Sequence, residues 1–130
     1  MMGTSIKLGS DTYLDASGVT VNSSGETLSF IQGSVTVDTT KASGYIAVYR
    51  FGRIGMFVFN ISLISGIGTA QQVATFSGIT PLTTFYFNFA PATGKQGFLQ
   101  IGNDGKILVG AQSSDTVSGW VRGVYIVPTT

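Results

Sequence analysis

Apolar and polar residues alternate along most of this chain, the period of a pleated strand with one face turned to a core. No window carries apolar residues at the three- and four-residue spacing of a helix without Gly or β-branched residues interrupting it. The longest run is Ile54 to Leu63, with Phe57, Phe59, Ile61 and Leu63 on one face and Met56 and Val58 on the other. Apolar residues on both faces predict a central strand, covered on each side for part of its length. Tyr45 to Phe51 sets Tyr45, Ala47, Tyr49 and Phe51 against Ile46, Val48 and Arg50. Val35-Thr36-Val37, ending near Asp38, and Gln72 to Phe76 predict short strands, as do Val19-Thr20-Val21 and Leu28-Ser29-Phe30. Phe85, Phe87 and Phe89 share one face of a further strand, with Tyr86 and Asn88 opposite, and Pro91 follows it. In the last segment, Gly119 to Val127, the residues Trp120, Val124 and Ile126 share a face with Arg122 among them.

Turn chemistry punctuates these runs. Gly102-Asn103-Asp104-Gly105 lies between Phe98-Leu99-Gln100-Ile101 and Lys106-Ile107-Leu108-Val109. Asn, Asp and Gly tolerate the left-handed angles of tight turns, so the segment reads as a hairpin. Gly52 plays the same part in the short link from Arg50 to Ile54. Roughly ten strands with turn signals about every eight to twelve residues predict an all-β domain, an antiparallel β-sandwich of jelly-roll-like form. Residues 1–30 differ in texture: their strand pieces are short and flanked by polar residues. They are expected to form a neck or shoulder, or edge strands of the same domain, ahead of a sandwich head over residues 31–130.

Composition narrows the chemistry. Of 130 residues, 43% are hydrophobic and 10% charged, too apolar for disorder and too poor in Glu, Lys and Arg for a helical protein. Seven Lys and Arg are scattered against six acids, leaving no basic stripe for nucleic acid. No apolar run reaches membrane-spanning length, so membrane insertion is not expected. Met1-Met2-Gly3-Thr4 has no basic end leading into an apolar stretch and is not expected to be a signal peptide. Cys and His are absent. Thiolate and imidazole zinc sites, Cys nucleophiles and a His general base go with them. The acids offer no close pair in an apolar setting for glycoside hydrolysis, Asp104 with Asp115 being the only pair to consider, and the spacing from Asp11 to Asp15 resembles no calcium loop. Neither an enzyme nor a cofactor is expected.

The order of motifs in the second half is distinctive. Arg53-Ile54-Gly55-Met56-Phe57-Val58-Phe59-Asn60-Ile61 is followed by Phe76-Ser77-Gly78-Ile79-Thr80-Pro81 and Phe85-Tyr86-Phe87-Asn88-Phe89. Then come Gly97 through the Gly102-Asn103-Asp104-Gly105 turn to Ile107, and a closing Gly119-Trp120-Val121-Arg122-Gly123-Val124-Tyr125. Over residues 45 to 130 this resembles the C-terminal head domain of tail-fibre and baseplate receptor-binding proteins of bacteriophages that infect Gram-positive bacteria, lactococcal phages in particular. The resemblance implies a homotrimeric β-sandwich head at the tail tip of the virion, attached to other baseplate or tail proteins and binding saccharides of the host cell wall. Some members use a His in the saccharide site, and this chain has none.

Five residues are candidates for contact with a saccharide. Trp120 offers an amphipathic ring for a sugar face, or packs between sheets or subunits. Arg122, on the same face, offers a forked donor to hydroxyls or phosphate, or forms an ion pair. Asn103 and Asp104 either meet sugar hydroxyls from the hairpin tip or serve its geometry. Asp115 lies in the loop Gln112-Ser113-Ser114-Asp115-Thr116, and loops on a rigid scaffold often carry function. The alternative to a saccharide-binding head is a purely structural assembly module, in which Tyr45, Tyr49 and Tyr125 would lie at interfaces.

Overall fold

A computed structural model of the chain describes residues 6–8, 11–15, 18–20, 27–28, 30–91, 95–112 and 116–130. Every strand pairing in it is antiparallel. The first four strands, β1 (Ile6–Leu8), β2 (Asp11–Asp15), β3 (Gly18–Thr20) and β4 (Thr27–Leu28), form a small sheet in the order β1-β2-β3-β4. Leu28 and Phe30, expected in one strand, belong to different sheets: Leu28 pairs with Val19, and Phe30 opens β5 (Phe30–Gln32) opposite Phe51.

The remaining strands build a β-sandwich. One sheet has four strands in the order β13-β8-β7-β5, with β7 at Ala42–Phe51, β8 at Ile54–Ile67 and β13 at Val117–Pro128. The other has five, β10-β11-β12-β9-β6, with β6 at Ser34–Val37, β9 at Gln71–Ser77, β10 at Phe85–Phe89, β11 at Gly97–Ile101 and β12 at Lys106–Ala111. Strand β8 is the spine of its sheet, with β7 along one edge from Ala42↔Leu63 to Phe51↔Ile54 and β13 along the other.

The alternation read from the sequence separates the two faces of the long strands, and burial shows which of them turns inward. Ile46 and Val48 of β7, and Phe57, Phe59, Ile61 and Leu63 of β8, are buried. They meet Val73 and Phe76 of β9, Leu99 and Ile101 of β11, and Ile107 and Val109 of β12 in one core. Each fully buried apolar side chain contributes about 1.5–3 kcal/mol. Aromatic rings lock the sheets together. Phe57 meets Phe76 edge-on at 5.0 Å, and Tyr125 of β13 lies 5.0 Å from Phe87 of β10 and 5.4 Å from Phe59.

Tyr125 therefore departs from the expectation that set it at an interface. Its ring folds back over Gly123, where a Cβ would sit 3.3 Å from the phenol oxygen. Gly123 pairs with Phe59, so the missing side chain opens a slot through which the ring reaches the core. Burial raises the Tyr125 phenol above its ordinary pKa.

Both glycine turns take the form expected. Gly52, at φ 61°, closes the β7–β8 hairpin, and Gly105, at φ 82°, closes β11–β12. At the second turn, Gly102 N donates to Lys106 O at 2.9 Å, and Gly105 O accepts from Phe76 N at 2.8 Å, pinning the hairpin to β9.

Candidate functional site

Strand β8 is central within its sheet, as expected, yet among the described residues only its inner face is covered by a second layer. The outer face of the four-stranded sheet is largely apolar. Phe30 on β5, Tyr45 and Phe51 on β7, Ile54 on β8, and Trp120, Val124 and Ile126 on β13 are each between 40% and 63% exposed. Met56 and Val58 lie half-buried between them. Register ties these residues into cross-strand rows: Tyr49↔Met56↔Ile126, Ala47↔Val58↔Val124 and Tyr45↔Asn60↔Arg122. Phe30 stacks on Tyr49 at 5.5 Å. From Ile54 to Ser62, across the three strands β7, β8 and β13, the face measures roughly 10 by 26 Å, on the order of 250 Å² in plan, and β5 widens it only beside Tyr49 to Phe51. Contiguous apolar patches of that scale on a soluble domain mark contact surfaces.

The structure brings two of the predicted residues together on this face. The Arg122 guanidinium lies 4.0 Å from the centre of the Trp120 ring, a cation–π geometry. Its Nε donates to Asn60 Oδ1 at 3.1 Å. Arg122 is thus held flat across the face by an aromatic ring and an amide, without a carboxylate partner on those contacts. The arrangement keeps the charge compatible with its apolar surroundings and presents a planar donor to whatever covers the sheet.

Asn103 and Asp104 lie elsewhere, at the tip of the β11–β12 hairpin in the other sheet. Asp104 Oδ1 accepts from Lys106 N at 3.2 Å, and Asn103 Oδ1 accepts from the Thr84 hydroxyl at 3.4 Å. These bonds fix the turn, which is the structural role open to them in the sequence. They do not form one site with Trp120 and Arg122. Asp115 lies outside the described residues. On β10, Tyr86 is exposed and Asn88 accepts from Gln112 Nε2 at 2.6 Å, both on the outer side of the five-stranded sheet as the alternation predicts.

Sequence reading missed a shallow cleft of about 200 Å³ on the five-stranded sheet, lined by Thr36, Asp38, Gln72, Ala74 and Thr75. Thr36 and Thr75 are cross-strand neighbours on β6 and β9. Next to them β9 bulges: Ile107 pairs with Ala74 and Leu108 with Gln72, leaving Val73 as an extra residue. The bulge holds Asp38 directly, since Asp38 N donates to Val73 O at 2.8 Å. Asp38 Oδ1 accepts from the Thr40 hydroxyl at 2.6 Å and from Thr40 N at 3.0 Å. Those two donors, the hydroxyl first, keep the Asp38 carboxyl below its ordinary pKa. Asp38 was legible only as the end of a strand. Its meeting with Gln72 and Thr75 depends on a sheet register that nothing local announces.

No cluster of three metal-ligating side chains occurs among the described residues, and no helix there is long and apolar enough to cross a membrane. The chain matches no protein-family model, and searches of characterised proteins and of solved structures return no match.

Proposed function

We propose that this chain is the receptor-binding head of a phage tail or baseplate, non-catalytic, working as a homotrimer at the virion's tail tip and adhering to cell-wall saccharides of a Gram-positive host. One observation carries the assembly part of the reading: the apolar outer face of β13-β8-β7-β5. A sheet face with Phe30, Ile54, Val124 and Ile126 turned to solvent is incomplete in a single chain, and copies of the chain packed about an axis through that face complete it. About a three-fold axis each contact is heterologous, so one part of this face on each subunit must meet a different part of it, or a neighbouring surface, on the next. The motif order from Arg53 to Tyr125 supplies the rest of the reading.

Adhesion through such a head needs only weak sites. Three heads per trimer and many trimers per particle raise the effective concentration of each site, converting weak single contacts into firm attachment. The sandwich pays little ordering cost on binding, because short turns and ring contacts between its sheets hold it rigid.

Light scattering on the purified chain, paired with binding to immobilised Gram-positive cell-wall polysaccharide, tests both parts. A trimer that binds the polysaccharide is the expected result. A monomer at micromolar concentration removes the head reading. A trimer without affinity for wall polysaccharide leaves the purely structural module, which the same apolar face would serve equally well.

A further inference from the structure

If the outer face of the four-stranded sheet is taken up by neighbouring copies, the five-stranded sheet is the surface turned to the host. The cleft on that sheet has the chemistry of a sugar site. Four of its five lining residues are polar: the hydroxyls of Thr36 and Thr75, the Gln72 amide and the Asp38 carboxylate, above the methyl of Ala74. Hydroxyls and an amide both donate and accept, and a carboxylate accepts from two adjacent hydroxyls at once. That set matches a polyol. No Lys or Arg lines the cleft itself, although Lys106 pairs with Thr75 at its edge, and the lining offers apolar as well as polar surface, as the C–H and hydroxyl faces of a sugar ring require. A volume of about 200 Å³ falls below the roughly 300–1,000 Å³ of pockets that enclose drug-sized ligands, the scale of one ring of a longer glycan.

Part of the lining is also held in place before any ligand arrives. Asp38 is tied at its backbone to the Val73 bulge and at its carboxylate to Thr40. Those bonds use Oδ1, leaving Oδ2 free of them. Thr36 and Thr75 stand side by side on paired strands. Side chains fixed by a sheet lose little freedom on binding.

We infer that the cleft formed by Thr36, Asp38, Gln72 and Thr75 is the saccharide-binding subsite of the domain, taking one neutral sugar ring of a wall polysaccharide. This rests on the reading of the chain as a receptor-binding head. It moves the ligand away from Trp120 and Arg122, which become part of the subunit contact.

The test is an amide-resolved NMR titration of the intact chain with D-glucose, N-acetyl-D-glucosamine and glycerol, run beside binding to immobilised wall polysaccharide. The variants are Thr75→Val and Gln72→Ala, at exposed strand positions where the fold does not need the polar group, and Asp38→Asn. Circular dichroism and light scattering confirm that each keeps its fold and oligomer. The expected result is saturable shifts confined to the amides around residues 36–38 and 72–75, with each variant weakening both the monosaccharide and the polysaccharide by about tenfold, the effect of losing one ligand hydrogen bond. Polysaccharide binding that persists unchanged in all three variants, or shifts that map to another surface, overturns the cleft and leaves the head reading standing. A folded trimer that binds neither the monosaccharides nor the polysaccharide overturns both.

Discussion

At the scale of single residues, the polar groups of this sandwich divide into those with partners and those without. Thr129 is 1% exposed, and its hydroxyl has no hydrogen-bond partner. A buried hydroxyl left unpaired costs about 1–3 kcal/mol. Thr129→Val keeps the shape and removes that cost, so urea unfolding should show the variant more stable by about 1 kcal/mol. Asp38 is the opposite case. Thr40 holds its folded pKa below the ordinary value of 3.8, so the unfolded chain binds the proton more tightly. The carboxylate therefore stabilises the fold above that value, and its contribution is lost as pH falls below it and through the lowered folded pKa. Unfolding measured as a function of pH should show a drop in stability below about pH 4 that is shallower in Asp38→Asn.

At the scale of elements, hairpins and facing strands carry the fold. Gly105, at φ 82°, has Phe76 O only 2.8 Å from where a Cβ would lie. Gly105→Ala forces a left-handed angle and presses on β9, and it should cost at least about 1–2 kcal/mol in denaturant unfolding. Phe57 is fully buried and edge-on to Phe76 across the sheets. Phe57→Ala should cost about 3–5 kcal/mol, a large share of the roughly 5–15 kcal/mol that holds a domain folded. The strand pattern was legible for the same reason these residues matter. Phe57, Phe59, Ile61 and Leu63 repeat at period two because one face of β8 meets a core, and the glycine turns show because only certain residues accept their angles. The break between Leu28 and Phe30 was not legible. Which sheet a two- or three-residue strand joins is decided by its partners, and its own residues say nothing of them.

At the scale of the whole molecule, the two outer faces differ in kind. The outer face of β13-β8-β7-β5 is apolar around the Trp120–Arg122 pair, while the five-stranded sheet carries Thr36, Gln72, Thr75, Tyr86 and Asn88 on exposed positions. Val124 is 56% exposed at the middle of the apolar face. If the proposed trimer forms through this face, Val124→Lys should leave the strand content of the circular dichroism spectrum unchanged while reducing the trimer to monomers in light scattering. The monomer tolerates a lysine there, and an apolar subunit contact does not, because an ammonium buried without a partner costs several kcal/mol. If the variant stays trimeric, the subunits meet through another surface.

Period-two alternation and turn residues determined by themselves that this chain is all-β, which residues share a face of its longest strands, and where its hairpins close. These are local signals, written within ten residues of where they act. The pairing of Trp120 with Arg122 was half legible, since two residues apart on one strand share a face. Only the tertiary structure decided that Tyr125 points inward, because the slot over Gly123 exists only with Phe59 and Phe87 around it. Only the tertiary structure separated the hairpin tip from the Trp120 face, and only it set Asp38 beside Gln72 and Thr75. Those outcomes depend on which strands pair and in what register, and register is fixed by the sum of contacts across two sheets.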